Sequence, residues 1–124
     1  MLKLFDKYKK LILWCVVIFA FSSIPSARIS NFSIADFIIR KFLHISEFLI
    51  LTIISFSTYK DIKKAVIFAI LYAISDEFHQ RFTPGRGPSP ADVLIDCIGI
   101  ILGSLIIWKK FLLKMPQKIQ KLLS

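Results

Sequence analysis

The chain of 124 residues is long enough for one small domain, and it combines 56% hydrophobic residues with a formal net charge of +9. Soluble domains contain about 45–50% apolar residues, and the excess here lies in long runs, so the basic charge does not indicate a nucleic-acid-binding protein. Two cysteines 82 positions apart, without a Cys-x-x-Cys motif, exclude a disulfide scaffold and a zinc ribbon.

Four stretches have nearly the length of a membrane-spanning helix, which needs about 20 residues. They are residues 4–24, 42–59, 65–80 and 91–108. Runs of this length without period-2 alternation favour helices, which satisfy their own backbone hydrogen bonds in lipid. The sequence therefore predicts an all-α fold, a four-helix transmembrane bundle. The spacing of Ser33 and Asp36 further predicts a helix that begins near Ile34 and continues into the second span.

The basic residues predict the orientation of this bundle. Twelve lysines precede the apolar centre of the first stretch at Leu11–Phe21, separate the second stretch from the third, or follow the fourth, whereas the opposite side carries five lysines and arginines. By the positive-inside rule, both termini are expected in the cytoplasm. We divide the chain into a membrane domain, 1–108, and a basic amphipathic tail, 109–124, that lies along the inner leaflet.

Strong turn chemistry in residues 83–90 separates the third and fourth stretches. Ser89 has the character of an N-cap, Pro90 of a first helical residue, and Asp92 of the N3 acid in a capping box. The fourth helix is therefore predicted to begin at Pro90.

The remaining acids fall mainly in the outer halves of the helices. At a rise of about 1.5 Å per residue, Glu47, Asp76 and Asp96 reach a similar depth in a hydrocarbon core about 30 Å thick. Ionisable residues within a membrane usually face a cavity and mark a functional site. We therefore predict an outward-facing polar pocket, with Gly99 and Gly103 allowing close helix packing beside it.

Two kinds of chemistry suit such a pocket. Paired carboxylates beside His44 are suited to general acid/base chemistry. A di-metal bundle usually has Glu-x-x-His on two helices, whereas this chain has one His-x-x-Glu and one Asp-Glu-x-His, so we predict no metal and no cofactor. Arginines near the mouth, at positions 40, 81 and 86, suit a phosphate or carboxylate head group.

The run 76–86, Asp-Glu-Phe-His-Gln-Arg-Phe-Thr-Pro-Gly-Arg, closely resembles the VanZ-like family of small bacterial membrane proteins. Ser-Ser-Ile-Pro at 22–25 and Lys-x-x-His at 41–44 are similar to the same signature, and the resemblance covers about residues 10–108. The matching motif residues are Lys41, His44, Asp76, Glu77, Gln80, Arg86 and Asp92. Asp96 departs from the pattern, since the family more often has asparagine there. The resemblance implies a multi-pass protein of the bacterial plasma membrane and an association with resistance to the glycopeptide teicoplanin.

We expect the pocket to recognise or modify an anionic lipid-linked or peptidyl envelope molecule at the outer leaflet. The residues expected to bind or move protons are His44, Glu47, Asp76 and Glu77. The residues expected to hold or orient the ligand are Lys41, Gln80, Arg86, Asp92 and Asp96. If the protein is an enzyme, it is a hydrolase or transferase. The alternatives are a small proton-coupled transporter and a structural subunit of a membrane complex. Four-helix subunits of the transporter kind can form dimers.

Overall fold

The structure, a computed structural model, describes residues 1–24, 34–83 and 89–123, and these residues form helices and short connections without strands. The helices are α1 (Leu2–Ser22), α2 (Ile34–Tyr59), α3 (Ile62–Gln80), α4 (Pro90–Lys114) and α5 (Gln117–Leu123). The all-α prediction is confirmed. The described part of α2 extends from Ile34 to Tyr59 without a break, so the predicted continuation of this helix into the second stretch is confirmed. Ser33 lies outside the described residues.

A two-residue connection joins α2 to α3. Lys60 has a φ of 56°, a left-handed conformation that reverses the chain just past the end of a helix. Asp61 is the N-cap of α3, and its carboxylate accepts hydrogen bonds from the backbone N–H groups of Lys63 (2.8 Å) and Lys64 (3.4 Å). The short connection makes the two helices antiparallel neighbours.

The start of α4 matches the prediction in position but not in its cap. Ser89 is the N-cap and Pro90 the first helical residue, yet the Ser89 hydroxyl makes no capping hydrogen bond. Asp92 instead pairs with Lys41 of α2, and the Ser89 backbone N–H donates to the Glu77 carboxylate. The predicted capping box is therefore wrong, because the Ser89 hydroxyl does not cap the helix and the Asp92 carboxylate pairs with a lysine on another helix.

At its other end α4 continues to Lys114, so the residues expected to begin the basic tail form its last turns. Two residues, Met115 and Pro116, separate it from α5. The Gln120 side chain in α5 donates to the carbonyl oxygens of Leu112 (2.7 Å) and Met115 (2.9 Å), which satisfies acceptors at the end of α4.

The helix α2 lies at the centre of the bundle and packs against α4, α3 and α1. The contact with α4 is the most extensive, and at Gly99 it is backbone against backbone. A Cβ added to Gly99 would lie 2.3 Å from the Ile45 carbonyl oxygen, and one added to Gly103 would lie 2.9 Å from that of Leu49. These glycines allow the close approach that the sequence predicted.

The interior of this bundle contains polar as well as apolar side chains. Side chains buried among the helices include Thr52, Ser55, Asp76, Gln80 and Asp96. Large apolar side chains point outward in stripes, and on α4 the exposed stripe contains Leu94, Ile98, Ile101 and Leu105. Among the described helices, α4 alone combines the length and the apolar composition needed to cross a membrane.

The α2–α4 contact predicts a graded effect of alanine at the two glycines. Gly99→Ala should destabilise the protein by about 1–3 kcal/mol, because overpacking forces the backbones apart. Gly103→Ala should cost less, since its added Cβ meets its nearest neighbour at a longer distance. Thermal unfolding in detergent measures both effects, with Ile98→Ala on the exposed face as the control. Equal stability of Gly99→Ala and the wild type would contradict the close contact.

Candidate functional site

Polar side chains from four helices meet at one end of the bundle. The helices α2 and α4 run parallel, and successive turns pair Lys41 with Asp92 and His44 with Asp96. His44 Nδ1 lies 3.1 Å from Asp96 Oδ1, and the Asp96 residue is 1% exposed. The N-terminal halves of these two helices therefore hold acid and base against each other.

The ends of α1 and α3 complete this arrangement. Ser22 Oγ in the last turn of α1 donates to Asp76 Oδ1 at 2.5 Å. Gln80, one turn after Asp76 on α3, donates from Nε2 to Asp76 Oδ2 at 3.3 Å and to Ser22 Oγ at 3.4 Å. Asp76 is 4% exposed, so these bonds orient a buried carboxylate.

His44, Asp76 and Asp96, which we call the buried triad, come from three different helices. One ligand-type atom of each lies within 4.8 Å of those of the other two. An imidazole nitrogen and two carboxylate oxygens can share a proton or coordinate a divalent cation. The sequence placed Asp76 and Asp96 at a similar depth, but it did not pair His44 with Asp96.

A cavity of about 170 Å³ lies beside the buried triad. Its lining residues are Phe21, Ser22, Ile24, Arg40, Leu43, His44 and Glu47. Glu47 follows His44 by one turn on α2, and its backbone carbonyl accepts a hydrogen bond from Trp14 Nε1 at 3.0 Å. The cavity therefore joins an arginine on the exposed surface to the buried histidine and a carboxylate.

Two other residues singled out in the sequence make their contacts with groups outside the triad. Glu77 is bound to the backbone N–H of Ser89 and holds α3 to the start of α4. His79 contacts α1, with its Nε2 3.0 Å from Ser23 Oγ and its ring stacked on Phe19 at 4.2 Å between centroids.

Two further polar positions lie on the exposed surface of the bundle. The guanidinium of Arg81 lies over the Phe78 ring, 5.5 Å from its centroid. Asp36 is exposed at the start of α2. Arg86 lies outside the described residues.

Sequence reasoning missed the role of Ser22. A serine at the end of an apolar helix carries no charge, and only its place in the Ser-Ser-Ile-Pro string marked it. Its hydroxyl is nevertheless the contact of α1 with the Asp76 carboxylate. Tyr72 adds a second such connection, since its hydroxyl donates to the Cys15 carbonyl oxygen at 2.6 Å.

Comparison with known families assigns the chain to one of them. The family model described as VanZ/LLP1 matches residues 9–114. The chain belongs to the VanZ/LLP1 family. The match extends from α1 to the end of α4 and so includes every residue of the buried triad. No curated protein and no solved structure matches the chain. The resemblance to the VanZ family inferred from the motif strings is confirmed.

The bond between Ser22 and Asp76 predicts the outcome of a serine comparison. Ser22→Ala should lower the free energy of unfolding by about 1–3 kcal/mol, because a buried carboxylate loses a hydrogen-bond donor. Ser75→Ala is the matched control, since this exposed serine bonds only within its own helix, to the Tyr72 carbonyl oxygen. Thermal or denaturant unfolding in detergent should separate the two variants. Equal losses of unfolding free energy in the two variants would show that the bond between Ser22 and Asp76 does not stabilise this VanZ/LLP1 protein.

Proposed function

We propose that this VanZ-family protein crosses a bacterial plasma membrane four times, with both termini in the cytoplasm. The helices α1 to α4 contain 21, 26, 19 and 25 residues, close to or above the roughly 20 that span a bilayer core. Exposed apolar stripes suit contact with lipid, and buried polar groups suit helix association inside it. The basic residues at the opposite end from the triad support the orientation.

We further propose that the polar end recognises or modifies an anionic, lipid-anchored envelope molecule at the outer leaflet. The observation that carries this proposal is the cavity lined by Arg40, His44, Glu47 and Ser22 next to the buried triad. Small-molecule sites usually occupy about 300–1,000 Å³, so a cavity of about 170 Å³ takes one compact charged group. The acyl chains of such a ligand would stay in the bilayer.

The structure refines the roles that we propose for the basic residues. Asp92 engages Lys41, so Lys41 sets the position of α4 and does not project alone toward a ligand. Arg40 precedes it in sequence and lines the cavity, where a guanidinium can bind a phosphate or carboxylate through two hydrogen bonds. Arg86 keeps its proposed role in holding the head group from the α3–α4 connection.

The remaining roles divide between proton transfer and orientation. His44, Glu47 and Asp76 would bind or move protons beside the bound group, and Gln80 would orient Asp76. Glu77 acts on the connection to α4 through Ser89. A lipid-linked molecule bound in this cavity would change the membrane surface that the acyl tail of teicoplanin contacts. This change is the route that we propose to glycopeptide resistance.

The head-group proposal predicts that Arg40 contributes more to ligand binding than Arg81, which lies at the same end of the bundle. Arg40→Gln should deplete the anionic lipids or cell-wall intermediates that co-purify with the protein, as measured by mass spectrometry of the extracts. Arg81→Gln is the matched control, because this guanidinium lies over the Phe78 ring. Arg86→Ala should reproduce the Arg40→Gln result. Recovery of the same species from Arg40→Gln and from the wild type would refute the assignment.

A second comparison separates an enzyme from a binding protein. Asp76→Asn keeps the size of the side chain but removes the carboxylate that Ser22 and Gln80 orient. An enzyme should accumulate its bound, unreacted ligand in this variant, whereas a binding protein should lose affinity. The measurement is the quantity and chemical form of the co-purifying species, with melting temperature as the check on folding. Unchanged quantity and form would exclude both proposed roles of Asp76.

A further inference from the structure

The buried triad has a composition and a geometry that the proposed head-group site does not require. His44, Asp76 and Asp96 provide one imidazole nitrogen and two carboxylates, on α2, α3 and α4 respectively. First-row divalent cations bind this mixture of nitrogen and oxygen donors. No pair of these ligands is close in sequence, so their convergence is a property of the folded bundle.

The distances between the donor atoms suit a single ion. Zinc lies about 2.0–2.2 Å from nitrogen and oxygen ligands, which places two ligand atoms on a tetrahedral ion about 3.4 Å apart. His44 Nδ1 and Asp96 Oδ1 are already 3.1 Å apart. All three donor atoms lie within 4.8 Å of one another, so side-chain rotations that move these atoms by about 1 Å would bring them around one cation.

The surroundings of the triad match those of metal ligands. The side chains of Asp96 and His44 are 2% and 12% exposed, and the Asp76 residue is 4% exposed. Ser22 and Gln80 donate hydrogen bonds to opposite oxygens of Asp76, which fixes the carboxylate orientation. Outer-shell partners of this kind orient ligands in metal sites and raise affinity.

Charge supports the same conclusion. Asp76 and Asp96 are both buried, and a charged carboxylate inside a protein is costly unless it is paired, as Asp96 is with His44. A divalent cation between Asp76 and Asp96 would balance both charges at once. Three protein ligands leave a coordination position open, and His44 and Ser22 also line the neighbouring cavity.

We propose that His44, Asp76 and Asp96 form a binding site for one first-row divalent cation of the Zn²⁺ or Mn²⁺ class. The proposal depends on the geometry of these three side chains and holds whether or not an anionic head group enters the cavity. Failure of the lipid experiment with Arg40→Gln would therefore leave it intact.

The test measures metal binding by the full-length protein in detergent, carrying an affinity tag without histidine. After chelator treatment, Zn²⁺ and Mn²⁺ are titrated separately and bound metal is quantified by mass spectrometry. The wild type should bind about one equivalent of at least one of the two ions. Asp96→Asn should bind at least tenfold more weakly, since loss of an outer-shell partner alone costs about 10–100-fold in affinity. Ser22→Ala, which removes such a partner from Asp76, should fall in that range.

Asp36→Asn is the matched control, because it removes the same charge from an exposed position at the start of α2. Its metal affinity should equal that of the wild type. Absence of Zn²⁺ and Mn²⁺ binding by the wild type would overturn the proposal, as would equal binding by the wild type and Asp96→Asn.

Titration of the wild type with Co²⁺ gives a result that needs no variant. An ion held by one imidazole and two carboxylates should develop visible ligand-field bands that Zn²⁺ abolishes by competition. If Co²⁺ produces no bands beyond those of the ion in buffer, the triad is not a metal site. This measurement decides the matter even if Asp96→Asn does not fold.

Discussion

The backbone contact between α2 and α4 at Gly99 is the constraint on which the rest of the structure depends. Without a Cβ, Gly99 lets the backbone of α4 meet the Ile45 carbonyl of α2 directly. Two parallel helices held this closely have a fixed register, and in this register Lys41 faces Asp92 while His44 faces Asp96. The polar pairs follow from this backbone contact because Asp96 and Asp92 lie about one and two turns before Gly99 on the same face of α4.

The helices α1 and α3 add to this pair at the same end. Each reaches the polar layer with its C-terminal turns, where Ser22 and Asp76 make their hydrogen bond. In the lipid environment that we propose for this bundle, apolar burial would give little preference for one helix arrangement over another, so packing and interhelical hydrogen bonds would carry more of the specificity. The contacts of Trp14, Tyr72 and Ser22 would then help to place α1.

The two proposals for this end of the protein are compatible in chemistry. An arginine at the cavity wall and a divalent cation at its base would both attract an anionic group, and both lie beside His44. The buried triad then has a part in setting the charge of the site, while Arg40 provides contact with the ligand at the exposed side. Either contribution can be removed without the other, because they reside on different side chains.

Much of the fold and part of the site followed from the sequence. Apolar runs and turn residues located the helices, since these signals depend on neighbours along the chain; α4 begins at Pro90 as predicted. The VanZ family was recognisable from the string 76–86, and family membership is confirmed. The four membrane crossings and the cytoplasmic termini stay predictions, as do the proposed roles of the site residues.

Only the tertiary structure decided which polar groups meet. Helical spacing places Asp92 and Asp96 on one face of α4, but it does not state which residue of α2 faces each of them. The local signal at Asp92 predicted a cap, and the fold paired it with Lys41 instead. Ser22 carried no charge that would mark it, yet it binds Asp76. Sequence periodicity determines faces, whereas the relative rotation and depth of packed helices determine partners, and these depend on contacts such as Gly99 with Ile45.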